Sequence, residues 1–267
     1  MGESKVMDEE RVLMLEGVHN FRDFGGYAVA GGGRLKRGHL WRSGQHFGAS
    51  DADLARIAAL GLADVFDLRS SKERETHPCR RPDGFTAAIY LSEDPTVIAA
   101  PHVAAAATTR QRDAASVREG MRRNYGAIAF RPELIAMMRR YLGVLAAGQG
   151  PSLVNCMAGK DRTGIAVAMI QLAAGVHRDD VIADYMLTNT AGDVEARIAA
   201  GAETIKAVAR RMDPEILRVI MGVEPEYLES AFAMIGEKHG SIDGYLRDVL
   251  GVDAALRAKL REQLVEG

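Results

Sequence analysis

Hydrophobic and polar positions follow two periods along this chain. Short apolar runs bounded by turn residues recur at 12–20, 27–29, 35–41, 63–68, 85–91 and 152–155, each the length of a strand. The first predicts a strand ending in a tight turn at Gly25-Gly26, and Gly31-Gly32-Gly33 predicts a hairpin. Helical spacing covers 51–60, where Ser50 is a natural N-cap and Gly61 a stop. It returns from about Ser116, pauses at Arg131-Pro132 and resumes over 133–147. Residues 163–174 read as a strongly apolar helix stopped by Gly175. Beyond it the pattern is helical only, over 178–189, 192–211, 213–221, 225–238, 241–250 and 253–265. The 92–109 stretch is Ala-rich, follows neither period and reads as a loop. Helices interleaved with strands predict an α/β fold, a central sheet flanked by helices, with a largely helical C-terminal third.

At 267 residues the chain is about 1.8 times a typical domain, which predicts one elaborated domain spanning 1–267. Hydrophobic residues at 47% and charged residues at 26% exclude disorder, collagen and coiled coil. With 34 basic against 36 acidic residues, the net charge of −2 supplies no global field for nucleic acid or an anionic membrane, so any anion recognition is local. No apolar run approaches the length of a membrane span, and the opening MGESKVMDEE carries neither a secretory signal nor, with Val6, a myristoylation signal. The expectation is a cytoplasmic protein, secretion without a recognisable signal peptide remaining open.

Cys79 and Cys156 are too few for a disulfide framework, and neither they nor the seven histidines show a zinc spacing, so no metal and no cofactor is expected. Cys79 sits in a Pro-containing turn; ordinary packing is the simpler reading, a reversible disulfide with Cys156 the other. Arg118, Arg122 and Arg123 read as a solvated helix face.

Cys156-Met157-Ala158-Gly159-Lys160-Asp161-Arg162 lies between a predicted strand and a predicted helix. Such a loop aims backbone N–H groups and the positive end of the helix dipole at one point, which favours an anion there. The same field, with the Arg162 guanidinium, favours the thiolate of Cys156, the nucleophilic form. A planar guanidinium can hold two phosphate oxygens while loop amides take others, leaving sulfur in line with phosphorus; the expected intermediate is a cysteinyl-phosphate. The phosphate-binding set is Met157, Ala158, Gly159, Lys160, Thr163 and Gly164. Gly159 admits close approach, and Thr163 can donate its hydroxyl to the departing thiolate. A Walker A loop is excluded, because Val154 stands where its first Gly belongs and Asp161 follows Lys160.

The string Asn155-Cys156-Met157-Ala158-Gly159-Lys160-Asp161-Arg162-Thr163-Gly164 resembles the signature of the bacterial tyrosine/serine and lipid-like phosphatases of the mycobacterial tyrosine phosphatase B and Listeria lipid phosphatase type. Asn20-Phe21-Arg22-Asp23, Arg42-Ser43, Asp67-Leu68-Arg69 with Glu73, Ala183-Asp184-Tyr185 and Gly240-Ser241-Ile242-Asp243-Gly244-Tyr245-Leu246 follow in that family's order. The resemblance implies a tyrosine-phosphatase-like α/β sandwich with a helical lid at about 192–221. It also implies a substrate that is a phosphorylated protein or a phosphoinositide, with inorganic phosphate as product.

A phenolate leaving group needs a proton donor. The resemblance favours Asp161 for it, Asp94 being the alternative at the place of a mobile acid loop in other Cys-dependent phosphatases. Asp67 and Arg69 either hold the loop and line the pocket or form a structural ion pair. Lys160 adds a cation suited to substrates with more than one phosphate, unless it merely balances Asp161. Members of the family commonly carry His before the nucleophile, where Asn155 can hydrogen-bond the loop but adds no charge. Phosphotyrosine hydrolysis, with phosphoserine and phosphothreonine as further substrates, is the leading expectation. The alternatives are a phosphoinositide phosphatase, an inactive phosphate-binding module and a sulfurtransferase.

Overall fold

The computed structural model describes residues 10–93, 113–191 and 213–267. Its main sheet has five strands: β1 (Arg22–Asp23), β3 (Leu40–Ser43), β4 (Asp64–Asp67), β5 (Ala88–Leu91) and β6 (Ser152–Asn155), in the spatial order β1-β3-β6-β4-β5. β1 runs antiparallel to β3, and the other neighbours are parallel. A separate two-stranded ribbon pairs β2 (Arg34–Leu35) with β7 (Val265–Glu266).

The register fixes where chemistry can occur. Asn155, at the end of central strand β6, lies opposite Ser43 on one side and Asp67 on the other, so the loops leaving β3, β4 and β6 emerge side by side. Ligands of open α/β sheets bind at this carboxyl edge. Alternation along the strands sends Leu153 and Val65 to one face, with Phe21, Leu54 and Ile57, while Val154 and Phe66 enter the larger core on the other face. That larger core is built by the helices.

Helix α1 (Asp51–Ala58) starts at Ser50 in a capping box with Asp53, and α2 (Ser71–Thr76) starts at Ser70 in a second box with Glu73. α3 (Ala114–Ile128) is capped by Asp113, and α4 (Pro132–Ala147) has proline in its first turn and a left-handed Gly148 at its end. Every residue of α5 (Asp161–Ala174) except Leu172 is buried, as an all-round apolar helix requires. α6 (Arg178–Met186), α7 (Thr188–Ala191), α8 (Pro214–Met221), α9 (Pro225–His239), α10 (Ile242–Asp248) and α11 (Ala254–Leu264) complete the helical layer.

The apolar run 12–20 differs from its strand reading. It contributes one bridge, Val12 to Arg22, and the strand forms at Arg22–Asp23, between that run and the turn expected at Gly25-Gly26. The cause is Asn20, whose backbone is left-handed at φ 60° and whose side chain is engaged across the molecule. Residues 178–189 form two helices, α6 and α7. The expected helix 192–211 and most of the 92–109 loop lie outside the described residues, as does all of the expected lid except 213–221.

Candidate active site

The loop from Cys156 to Lys160 joins β6 to α5, and Cys156 is buried at 2% exposure. Its carbonyls are fastened outward. Met157 O accepts from Gln45 N at 3.1 Å. Asn20 Nδ2 donates to Ala158 O at 3.3 Å and Gly159 O at 2.7 Å, and Arg42 Nη2 donates to Gly159 O at 3.0 Å. In a trans peptide the N–H opposes the C=O, so carbonyls held outward turn the following amides inward, forming an anion nest. Gly159, at φ 64°, passes so close to the β3 turn that a Cβ would lie 2.5 Å from Ser43 C and O.

Behind the loop sits a buried charge cluster. Arg22 Nε and Arg42 Nη1 lie 3.4 Å and 2.7 Å from the two carboxyl oxygens of Asp184, and Arg22 Nη1 also donates to Asn20 Oδ1. Burial pushes the Asp184 carboxyl up, but Arg22 and Arg42 outweigh it and hold it below its ordinary value. Arg22 is lowered to about 10, by burial first and Arg42 repulsion second. The two guanidiniums are therefore tied together through one carboxylate.

Arg162, in the first turn of α5, is 7% exposed and donates Nη1 and Nη2 to Glu73 at 2.7 and 2.8 Å. Nη1 also reaches Leu68 O at 3.1 Å. Burial opposes the Arg162 charge, but its hydrogen bonds to Glu73 and its electrostatic interaction with Cys156 raise its pKa above the ordinary arginine value. Its Nε is buried with no hydrogen-bond partner among the described residues, and so is Thr163 Oγ1. An oxyanion and a leaving thiolate are the groups that would satisfy this donor pair.

Asp161 is buried at 3% exposure, accepts from Tyr125 OH at 2.8 Å, and has Lys160 Nζ 3.6 Å away. Tyr185 OH in turn donates to Tyr125 OH at 2.7 Å. Lys160 Nζ donates to Ile220 O of α8 at 2.6 Å, so this cation ties the loop to α8 and balances Asp161. Gly164 is small for packing, because a Cβ there would meet the Tyr185 ring at 3.0 Å.

Asp67 and Arg69 form the ion pair. Arg69 Nη2 lies 2.6 Å from Asp67 Oδ2, and Nε bonds both carboxyl oxygens at 2.9 and 3.1 Å. Asn155 Nδ2 joins Asp67 Oδ1 at 3.3 Å, so the residue before the nucleophile is anchored to the neighbouring strand. Arg69 also donates to Cys79 Sγ at 3.0 Å. Both cysteines are free thiols. Asp94 lies outside the described residues. Arg118, read as a solvated residue, instead bridges helices through Glu215 and Glu224 at 3.0 and 2.7 Å.

Glu73, part of the strings that carry the resemblance, had no role predicted from sequence, and Tyr125 stood in none of those strings. Glu73 had a usable signal in the Ser-x-x-Glu capping box, whereas Tyr125 is brought to Asp161 only by the tertiary fold.

A buried thiol at the carboxyl end of a central parallel strand, an inward amide nest and an arginine in the first helical turn define the class: a tyrosine-phosphatase-like α/β protein. The chain belongs to the tyrosine phosphatase family, whose pattern matches residues 13–266. It is 33% identical over 285 residues to the triple specificity protein phosphatase PtpB of Mycobacterium tuberculosis, covering 95% of this chain and 99% of that protein. It is 34% identical over 247 residues to a Cupriavidus necator protein whose assigned name is that of a tyrosine-protein phosphatase, covering 91% of this chain and 85% of that protein. The crystal structure of P. aeruginosa TpbA overlaps 73% of this chain and 96% of its own at a TM-score of 0.35 and 15% identity. No helix among the described residues is long and apolar enough to cross a membrane.

Proposed function

We propose that this protein is a phosphomonoesterase that hydrolyses phosphotyrosine, with phosphoserine and phosphothreonine as further substrates, through a cysteinyl-phosphate on Cys156. In this reading residues 1–267 are one phosphatase domain, with the cytoplasm as the proposed compartment and secretion without a recognisable signal peptide as the alternative. Cys156 Sγ attacks phosphorus while the amides of the 157–160 segment and the Arg162 guanidinium stabilise the equatorial oxygens. Asp161 gives a proton to the departing oxygen, and its carboxylate then takes one from the water that displaces sulfur.

The observation that carries this reading is the outward tethering of the loop carbonyls by Asn20 and Arg42, which builds the amide nest before any ligand arrives. Preorganised donors are worth most where charge develops in the transition state. Nucleophile, anion cradle and acid are all groups of the chain itself, so EDTA is expected to leave turnover unchanged. A second phosphate is not favoured here: Lys160, the cation that would receive it, is engaged by Ile220 O and Asp161.

Cys156→Ser tests the assignment. It abolishes hydrolysis of an aryl phosphate while phosphate binding, measured by calorimetry, persists; undiminished turnover overturns it. Parallel assays on phosphotyrosine peptides, phosphoserine peptides and a soluble phosphoinositide rank the substrates.

A further inference from the structure

Asp161 is an unusual proton donor because it is almost wholly enclosed. One of its oxygens, Oδ1, is occupied by the Tyr125 hydroxyl at 2.8 Å and by Lys160 Nζ at 3.6 Å. Tyr125 is itself completely buried, and the direction of its hydroxyl is fixed, since Tyr185 OH donates to it at 2.7 Å. An O–H that accepts from one neighbour points its own hydrogen at the other. The chain Tyr185 to Tyr125 to Asp161 therefore runs one way and ends on Oδ1.

The tyrosines are placed by packing that has no other evident purpose at the loop. Tyr125 comes from α3 and Tyr185 from α6, with ring centroids 6.0 Å apart, and Tyr227 of α9 backs Tyr125 at 5.6 Å. The Tyr185 ring also takes the space at Gly164 of α5, so it is locked against the helix that carries Asp161. Burial, first of all, raises both phenols well above their ordinary value, so they remain protonated donors.

We propose that Tyr125, oriented by Tyr185, is a positioning residue for the general acid. By donating to Oδ1 it assigns the transferable proton of Asp161 to Oδ2. When the P–O bond breaks as the S–P bond forms, the Oδ2–H bond breaks and its proton passes to the leaving oxygen. The electron pair left on the carboxylate is stabilised by the Tyr125 hydrogen bond. In the second half-reaction the same oxygen takes a proton from the attacking water. This inference rests on the reading of Asp161 as the acid.

The test is a leaving-group series, phenyl phosphate against 2,4-dinitrophenyl phosphate, measured on the full chain for Tyr125→Phe, Tyr185→Phe and Asp161→Asn. A phenolate with a pKa near 10 needs protonation and the dinitrophenolate does not. Tyr125→Phe lowers kcat/KM on phenyl phosphate, which reports the first half-reaction alone, about tenfold, one hydrogen bond to a charged group, with kcat/KM on the dinitrophenyl ester unchanged. Tyr185→Phe, which only frees the rotation of the Tyr125 hydroxyl, gives a smaller loss with the same selectivity. Equal losses on both substrates in both tyrosine variants make the tyrosines merely structural and overturn the proposal. If Asp161→Asn itself shows no leaving-group selectivity, the acid assignment fails and the positioning role falls with it. If Asp161→Asn is selective and the tyrosine variants are not, only the positioning role falls.

Discussion

Glu73 and Arg162 face each other as a two-pronged pair, with Nη1–Oε2 and Nη2–Oε1 separations of 2.7 and 2.8 Å. Glu73 is not free to move, because Ser70 N holds Oε2 at 2.8 Å through the capping box of α2. The helix start thus aims the guanidinium. Glu73→Gln, which keeps the size but loses the charge, is expected to reduce kcat/KM on an aryl phosphate about tenfold, roughly the worth of one charge-assisted hydrogen bond. Steady-state kinetics check this, and phosphate affinity measured by calorimetry falls in parallel.

The tight passage of Gly159 predicts opposite outcomes for two glycine replacements. Gly159→Ala combines a positive φ with a Cβ 2.5 Å from the Ser43 carbonyl, and is expected to destabilise by about 2–4 kcal/mol and abolish turnover. Gly120→Ala, in α3 with nothing within 4 Å of the new methyl, is expected to stabilise by about 0.5–1 kcal/mol at unchanged activity. Urea unfolding of the two variants separates them.

Asn20→Ala removes both side-chain donations to the carbonyls of Ala158 and Gly159 at no contact with substrate. The amide nest loosens, and an increase of about tenfold in the Ki of inorganic phosphate is expected. An unchanged Ki would show that Arg42 alone keeps the loop in shape.

Two ion-paired carboxylates, Glu73 and Asp184, contribute to acid stability. Burial pushes both Glu73 and Asp184 up, but Arg162 and Ser70 at Glu73, and Arg22 and Arg42 at Asp184, together outweigh it and hold both carboxyls below their ordinary values. A depressed folded pKa contributes stability above the unfolded value and loses it as pH falls through the folded one. Urea midpoints should therefore hold from neutral pH down to about 4.5 and drop below it, the Asp184 share declining from about 3.8. In Glu73→Gln the upper part of that decline is absent.

Periodicity and caps made most of the frame legible in the sequence. Ser50, Pro132, Gly148 and Gly175 mark helix ends whose chemistry is local, and the structure places them there. α2 escaped notice because none of its residues is buried, leaving no apolar period to read. β1, β2 and β7 have two residues each and exist through long-range pairing. At the site, the Cys156-to-Arg162 loop was legible because strand, loop and helix start are contiguous. Its supports give no periodicity signal: Asn20, Arg42 and Asp184 stand out only through the family resemblance and Tyr125 not at all, yet all four are buried at 1% exposure or less. Their partners come from far along the chain: Arg42 pairs with Asp184 and Tyr125 with Asp161, across separations of 142 and 36 residues.

Because residues 20, 42, 159 and 184 close one knot, the phosphate cradle fails once any of the segments that carry them comes loose. Turnover is then a gauge of how those distant segments stay docked. The chain's single tryptophan, Trp41, precedes Arg42 on β3 and packs on the opposite face of the sheet beside Phe21, so it reports the strand that carries that knot. Its emission and the rate of hydrolysis should fade together along a denaturant ramp, so an optical trace can stand in for an activity assay.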